Sequence, residues 1–162
     1  MQKLLIDTGP LVAWFDRSDA DHEAVAAFMD SLYPAATAAG ASDTRLLTTW
    51  PVLTEVCHLL PERLVPAFMR WVAGGGVEVV DMPQAVAGVL AVRMDKYLDL
   101  PMDLADASLL WLCEQSGVHD ILTLDKRDFG VYRTERGLRL NNLLEAGPKM
   151  RSANVRKRSP RE

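Results

Sequence analysis

The stretch LDLPMDLADASLLWLCEQSGVHDILTLDKRDFG, residues 98–130, decides the fold of this chain. Its middle predicts a helix that is apolar nearly all round and therefore buried, and Gly117 ends that helix. A short apolar strand over 121–124 follows. Asp103 and Asp106 lie at the start of the helix, three residues apart and so on one face. Because a buried helix rarely carries an aspartate without a partner, these two acids need an explanation.

Four of the six aspartates in this stretch allow a structural and a functional interpretation. Asp103 is suited to be the N-cap of the helix, with Asp106 as the partner in a capping box. Asp125 and Asp128, directly after the strand, are suited to turn and cap positions. For each residue taken alone, these structural roles stay open beside a role in chemistry.

Length and charge predict a single domain with a tail. The chain has 162 residues, 49% of them hydrophobic and 25% charged, which is ordinary for a globular protein. Residues 149–162 hold six basic residues and one acid, whereas the whole chain has a net charge of −4. We expect one α/β domain over residues 1–146 and a basic, disordered tail over 147–162.

Other features of the sequence predict a cytoplasmic protein. Asp7 interrupts the first apolar run, so the N-terminus does not look like a secretion signal. No stretch approaches the roughly 20 apolar residues of a membrane span, and no membrane partner is expected. Cys57 and Cys113 fall in apolar helical patterns, which favours reduced core cysteines over a disulfide or a zinc site.

Short apolar strands alternate with helical patterns along the chain. This alternation is typical of a parallel sheet covered on both faces, so we expect a three-layer α/β/α domain with a central parallel sheet of four or five strands. Two segments stay ambiguous: 34–43 is either a helix extension or a loop, and 139–144 is either a strand or a helical turn. The predicted strands span 3–6, 46–49, 77–80 and 121–124.

Four acids from separate parts of the sequence are expected at one edge of this sheet. Asp7 ends the first strand, and Asp125 follows the fourth. Glu55 lies early in the helix after the second strand, and Asp106 opens the helix before the fourth. In open parallel sheets, ligands bind beyond the carboxyl ends of the strands. The sequence therefore predicts a carboxylate cluster at that edge.

Such a cluster indicates a divalent metal ion. Carboxylates that lie close together repel one another, and without compensation some of them stay protonated. A hard cation among them removes the repulsion, and Mg²⁺ or Mn²⁺ suits ligands that offer only oxygen. A cation of this kind stabilises charge on a phosphate during hydrolysis, which is typical of enzymes that cleave phosphodiester bonds.

With these residues in place, the chain resembles the PIN-domain (PilT N-terminus) family of metal-dependent ribonucleases, and within it the VapC-type toxins of toxin–antitoxin pairs. The resemblance covers roughly residues 3–130 and rests on four segments in order. These are LLIDTGPLVAWFD with Asp7, TEVCHLL with Glu55, DLADASLLWLCEQSG with Asp106, and LTLDKRDFG with Asp125.

The resemblance implies a Mg²⁺- or Mn²⁺-dependent endoribonuclease. It implies that Asp7, Glu55, Asp106 and Asp125 are both the metal-holding and the catalytic residues. Supporting roles fall to Thr8, Asp103, Thr123 and Asp128. The expected partners are an RNA substrate, a cognate antitoxin protein and a second copy of the chain in a homodimer.

Cationic side chains beside the fourth acid are candidates for contact with RNA. Lys126, Arg127 and Arg133 flank Asp125 and could steer RNA phosphates to the site, although surface solubility also accounts for them. Two other functions stay open. One is a PIN-fold protein that binds RNA or supports assembly without catalysis, and the other is a stand-alone PIN nuclease in RNA processing.

Overall fold

The computed structural model describes residues 1–33 and 43–146. The predicted tail over 147–162 and nearly all of the ambiguous segment 34–43 lie outside these residues. The described elements are β1 (Gln2–Ile6), α1 (Thr8–Phe15), α2 (His22–Leu32), β2 (Thr44–Thr49), α3 (Trp50–Leu59), a 3₁₀ turn (Glu62–Leu64), α4 (Val65–Ala73), β3 (Glu78–Val80), α5 (Val86–Lys96), α6 (Leu104–Ser116), β4 (Asp120–Leu122), α7 (Lys126–Val131), β5 (Asn141–Asn142) and α8 (Leu143–Ala146).

A five-stranded parallel sheet forms the centre of the domain. Its strands lie in the order β3-β2-β1-β4-β5, so β1 is central and the chain changes direction across the sheet at β1. Leu5 pairs with Leu47 of β2 on one side and with Ile121 of β4 on the other. The sheet confirms the predicted parallel arrangement of four or five strands, and it has five in the part of the chain that the structure describes.

Helices cover both faces of this sheet. Leu4, Leu5 and Ile6 are consecutive residues of β1, and none of them is exposed to solvent. Successive side chains of a strand point to opposite faces, so burial of all three requires a layer on each side. This confirms the predicted three-layer α/β/α architecture.

Helix α6 is the buried helix that the sequence indicates. Every residue from Ala105 to Cys113 is buried. Its Ser108 hydroxyl lies 2.6 Å from the hydroxyl of Thr49 at the end of β2, which fixes the helix against the sheet. Gly117 ends the helix in the left-handed conformation, with φ of 69°, as its position predicts.

Several boundaries differ from the predicted ones for local reasons. The helical sequence pattern of residues 62–73 forms two elements, the 3₁₀ turn and α4, because Pro66 in the first turn of α4 has no amide hydrogen to continue a preceding helix. The ambiguous segment 139–144 contains both alternatives, since the two-residue strand β5 runs directly into α8. Among the described helices, none is long and apolar enough to cross a membrane.

A buried ion pair joins α5 to α6. The Arg93 side chain is 6% exposed, and its Nη2 atom contacts the carboxylate of Glu114. The exposed Glu135 lies farther away, with its Oε1 atom 3.9 Å from the same nitrogen. Nη1 of Arg93 is buried without a hydrogen-bond partner in the described structure. Glu114 therefore provides most of the compensation for this buried charge.

Candidate functional site

An acidic cleft of about 680 Å³ lies at the carboxyl ends of β1 and β4. It is where the sheet changes direction, which is the usual ligand position in open α/β folds. All four acids predicted to hold a metal line this cleft, together with three of the four predicted supporting residues. The lining comprises Asp7, Thr8, Gly9, Glu55, Leu59, Pro101, Asp103, Asp106, Leu124, Asp125, Lys126, Arg127 and Asp128.

Asp7 is held at the end of β1 by hydrogen bonds to both carboxylate oxygens. Oδ1 accepts from the backbone amide of Thr8 at 2.8 Å, which makes Asp7 the N-cap of α1. Oδ2 accepts from the Thr123 hydroxyl at 2.7 Å. Since Ile6 pairs with Leu122 in the sheet, the next residues of the two chains are neighbours, and this register brings Thr123 to Asp7.

Glu55 reaches the cleft from the second turn of α3. Its Oε2 atom accepts a hydrogen bond from the Thr8 hydroxyl at 2.5 Å. The side chain is half-buried, while Val52 and Val56 on the same helix are fully buried in the core. Thr8 thus joins the start of α1 to α3, and its hydroxyl orients one of the predicted metal-holding acids.

Asp103 and Asp106 form the capping box that the sequence allows. Asp103 Oδ1 accepts from the Asp106 amide at 2.8 Å, and Asp106 Oδ2 lies 3.4 Å from the Asp103 amide. This structural role does not exclude chemistry, because both side chains also line the cleft. The two interpretations that the sequence left open are therefore compatible for this pair.

Asp125 and Asp128 form a similar pair at the start of α7. Asp125 is the N-cap of this short helix, and its Oδ1 atom accepts from the Asp128 amide at 2.9 Å. The Asp125 amide in turn donates to the Thr123 hydroxyl oxygen at 3.0 Å. Thr123 is fully buried behind the cleft and links Asp7 to the segment that carries Asp125.

Burial and mutual repulsion strongly raise the pKa values of Asp7 and Asp106 in the cleft. The pKa of Asp7 rises from 3.8 to about 6, chiefly because the group is buried, although the hydrogen bonds from Thr123 and Thr8 oppose the rise. The pKa of Asp106 rises from 3.8 to about 8, first through burial and then through the negative charges of Asp103 and Asp7. Both groups would be stabilised in their charged form by a nearby cation.

The donor set fits a hard divalent cation with several waters. Only oxygen ligands line the cleft among the described residues, since no histidine or cysteine lies there. Within residues 1–33 and 43–146, no three acidic, histidine or cysteine side chains come close enough to form a preformed metal cage. Mg²⁺ commonly binds through one or two carboxylates and keeps much of its water, so an open acidic cleft suits it.

The three predicted RNA-contacting cations occupy different positions. Lys126 and Arg127 are exposed and line the cleft. Arg133 instead directs its Nη1 atom at three backbone carbonyls at the end of α7, each at 2.8 Å, from Gly130, Val131 and Tyr132. Two of the three cations are therefore placed beside the acids, while Arg133 has a capping contact that the sequence did not indicate.

Sequence reasoning missed one residue behind the cleft. The Tyr132 side chain is fully buried, and its hydroxyl donates to Oδ2 of Asp106 at 3.2 Å. Its ring contacts the rings of Tyr97 and Phe129. The spacing of Phe129 and Tyr132 could have indicated a buried aromatic pair, but no local pattern points from Tyr132 to an acid 26 residues away.

The chain is similar to known proteins in sequence and in fold. The chain is 31% identical over 134 residues to Ribonuclease VapC26 of Mycobacterium tuberculosis, a match that covers 80% of this chain and 92% of the relative. Its fold is similar to the crystal structure of the M. tuberculosis toxin VapC20, described as cleaving the sarcin–ricin loop. The TM-score is 0.63 at 15% identity, covering 76% of this chain and 91% of that one. No protein-family model matches the chain.

Proposed function

This chain belongs to the VapC family of PIN-domain ribonucleases, and on that premise we propose that its acidic cleft hydrolyses RNA phosphodiester bonds with a bound Mg²⁺ or Mn²⁺ ion. The observation that carries the proposal is the convergence of acids from four separate segments on one cleft. Their placement at the change of direction of a parallel sheet puts them where this fold class binds ligands.

The residues proposed to hold the cation, directly or through water, are Asp7, Glu55, Asp106 and Asp125, with Asp103, Asp128, Thr8 and Thr123 in support. A divalent cation supplies positive charge that stabilises the phosphate in the transition state and favours ionisation of the attacking water. The protein positions this cation. The carboxylates fix the position of the cation, and the threonine hydroxyls fix the carboxylates.

The rim of the cleft is suited to an RNA backbone. Lys126 and Arg127 are the exposed cations beside the acids, and we assign them contacts with RNA phosphates. They offset only part of the negative charge of six acids, so the cleft needs the cation to accept a phosphodiester. A bound cation thus changes the cleft from one that repels RNA to one that attracts it.

As a family member, the chain is proposed to act as a toxin controlled by a cognate antitoxin. An antitoxin segment with a basic side chain across the cleft would satisfy the acids and exclude RNA. A homodimer and an intracellular location remain predictions. Light scattering on the purified protein measures the oligomeric state, and co-purification with the product of the neighbouring gene tests the antitoxin.

Cleavage of an RNA panel tests the proposal. The panel contains single-stranded and structured RNAs, incubated with Mg²⁺, with Mn²⁺ or with EDTA. We expect cleavage by the wild type with either metal and none with EDTA. Asp106→Asn should lose cleavage, whereas Asp30→Asn, at an exposed acid on α2 outside the cleft, should retain it.

Three other outcomes would contradict or change this proposal. Cleavage that persists in Asp106→Asn would contradict the assignment of the site. A folded wild type that binds Mn²⁺ and RNA but cleaves nothing would favour a PIN-fold binding protein. Metal-dependent cleavage without any effect of an antitoxin would favour a stand-alone nuclease of RNA processing.

A further inference from the structure

We propose that Tyr132 is a positioning residue for the acidic cleft, which holds one oxygen of Asp106 so that the other is available to the divalent cation. This inference rests on the proposed function. Tyr132 is fully buried and does not line the cleft, so it is not a catalytic residue. It would act through the carboxylate that its hydroxyl contacts.

The two oxygens of Asp106 have unequal surroundings. Oδ2 accepts from the Tyr132 hydroxyl at 3.2 Å and lies 3.4 Å from the Asp103 amide. Oδ1 accepts no hydrogen bond from the described residues, and it is not among their buried atoms that lack a partner. A carboxylate that is anchored through one oxygen and open at the other is suited to bind a cation through the open one.

The rigidity of Tyr132 makes it an effective anchor. Its ring packs edge-on against Tyr97 and Phe129, with ring centroids 5.1 and 5.5 Å away. The hydroxyl has one other acceptor in reach, the backbone carbonyl of Pro101 at 3.4 Å, and Pro101 lies on the cleft itself. Either acceptor keeps the phenol directed at the cleft wall.

The position of Tyr132 also connects two groups of acids. Tyr132 is the C-cap of α7, the helix that Asp125 caps at its other end. Asp106 lies in the first turn of α6. The hydrogen bond between Tyr132 and Asp106 therefore sets the spacing between the α7 acids and the α6 acids, and a cation shared by them depends on that spacing.

Isothermal titration of Mn²⁺ into the RNA-free protein tests this inference. Tyr132→Phe removes only the hydroxyl, and we expect its Kd for Mn²⁺ to rise about tenfold. The matched control is Tyr97→Phe, which removes a hydroxyl from the same aromatic cluster. That hydroxyl accepts from the Arg133 amide at 2.9 Å, and within residues 1–33 and 43–146 it has no hydrogen bond with an acid, so the Kd should change less than about twofold.

Kinetics and thermal unfolding distinguish positioning from a merely structural role. In Tyr132→Phe we expect kcat to fall while KM for RNA stays within about twofold of the wild type, because the substitution leaves the proposed RNA contacts of Lys126 and Arg127 unchanged. If both tyrosine variants lower the melting temperature and neither changes Mn²⁺ affinity, Tyr132 is only a core residue and the inference is overturned. No Mn²⁺ binding by the wild type would instead overturn the proposed function, and this inference with it.

A second measurement does not require Tyr132→Phe to fold. The chain has three tyrosines, Tyr33, Tyr97 and Tyr132, so 3-fluorotyrosine gives three ¹⁹F resonances, assigned through Tyr33→Phe and Tyr97→Phe. Saturation with Mg²⁺ should shift the Tyr132 resonance most, because its acceptor takes part in binding. A Tyr132 resonance that does not move when Mg²⁺ binds would overturn the inference.

Discussion

At the scale of single residues, side-chain hydroxyl groups hold three of the carboxylates of the cleft. Thr8 donates to Glu55, Thr123 donates to Asp7, and Tyr132 donates to Asp106. Each bond restricts the rotation of one carboxylate, and for Asp7 and Asp106 it adds to a contact with a backbone amide. Preorganisation of this kind lowers the cost of bringing several negative groups around one cation.

Thr123→Val should reduce both stability and metal binding. The change removes the hydroxyl that contacts Asp7, and leaving that buried carboxylate with one donor fewer should cost about 1–3 kcal/mol of unfolding free energy. Thr48→Val is the matched control, because the Thr48 hydroxyl is also buried and donates to the Ile6 carbonyl at 2.9 Å. Urea unfolding should show a loss in both variants. Mn²⁺ titration should show weaker binding in Thr123→Val alone, and equal affinities would contradict the role of Thr123.

The raised pKa values predict that the metal-free protein loses stability as pH rises. Asp7 and Asp106 have folded-state pKa values of about 6 and about 8, above the ordinary value of 3.8. The folded state therefore binds protons more tightly than the unfolded state. The stabilisation is fully present below pH 3.8 and is lost as pH rises through the folded-state values. For Asp7 alone the shift corresponds to about 3 kcal/mol.

Urea unfolding in EDTA across this pH range measures the effect. Asp106→Asn cannot ionise, so its unfolding free energy should fall less with pH than that of the wild type. At about pH 8 the variant should be the more stable protein by about 2 kcal/mol or more. Parallel pH profiles for the two proteins would contradict the raised pKa of Asp106.

At the scale of the elements, the start of α6 combines a helix cap with the site. Asp103→Asn keeps a good N-cap and removes a charge that repels Asp106, so its unfolding free energy at neutral pH should equal or exceed that of the wild type. Asp103→Ala removes the cap as well and should be about 1 kcal/mol less stable than Asp103→Asn. Thermal unfolding of the two variants in EDTA measures the difference. If they are equally stable, the capping box contributes nothing.

The packing of α5 against α6 depends on a buried ion pair. Glu114→Gln leaves the Arg93 guanidinium, 6% exposed, without its main counter-charge, and we expect a loss of about 3 kcal/mol. Glu135→Gln is the control, because the side chain of Glu135 is 77% exposed and its contact is long. The control should lose less than about 1 kcal/mol in urea unfolding. Similar losses in both variants would show that Glu114 is not the compensating group.

Local patterns account for what the sequence predicted about these elements. The apolar run of α6 and the glycine that ends it are short-range signals, and both describe the helix correctly. The alternation of apolar strands and helices likewise predicted the parallel sheet, and the acids after strands or early in the neighbouring helices predicted the lining of the cleft. These inferences succeed because the pattern of neighbouring residues in the sequence indicates whether an element is buried and where it ends.

Contacts between distant residues account for what the sequence did not predict. Arg93 lies on a helix with exposed neighbours, so its burial follows only from where α6 packs. Tyr132 looks like an ordinary aromatic core residue until the start of α6 is placed beside it. Arg133 looks like a free cation, yet it caps α7. In each case the partner is set by tertiary packing, which no local pattern encodes.

At the scale of the whole molecule, one cleft collects segments from across the chain. One acid follows β1, one lies on α3, one lies on α6, and one lies directly before α7. The central proposal is that these acids together hold divalent metal, directly or through water, and the four segments should therefore report on the same site.

Iron-directed cleavage of the protein backbone tests that claim most directly. Fe²⁺ replaces Mg²⁺, and ascorbate with peroxide then generates hydroxyl radicals that cut the chain close to the ion. Mass spectrometry of the fragments locates the cuts. We predict cuts clustered around Asp7, Glu55, Asp106 and Asp125, suppressed by excess Mg²⁺ and by Asp106→Asn. Cuts confined to other parts of the chain, or a pattern unchanged by that substitution, would contradict a cation held in the acidic cleft.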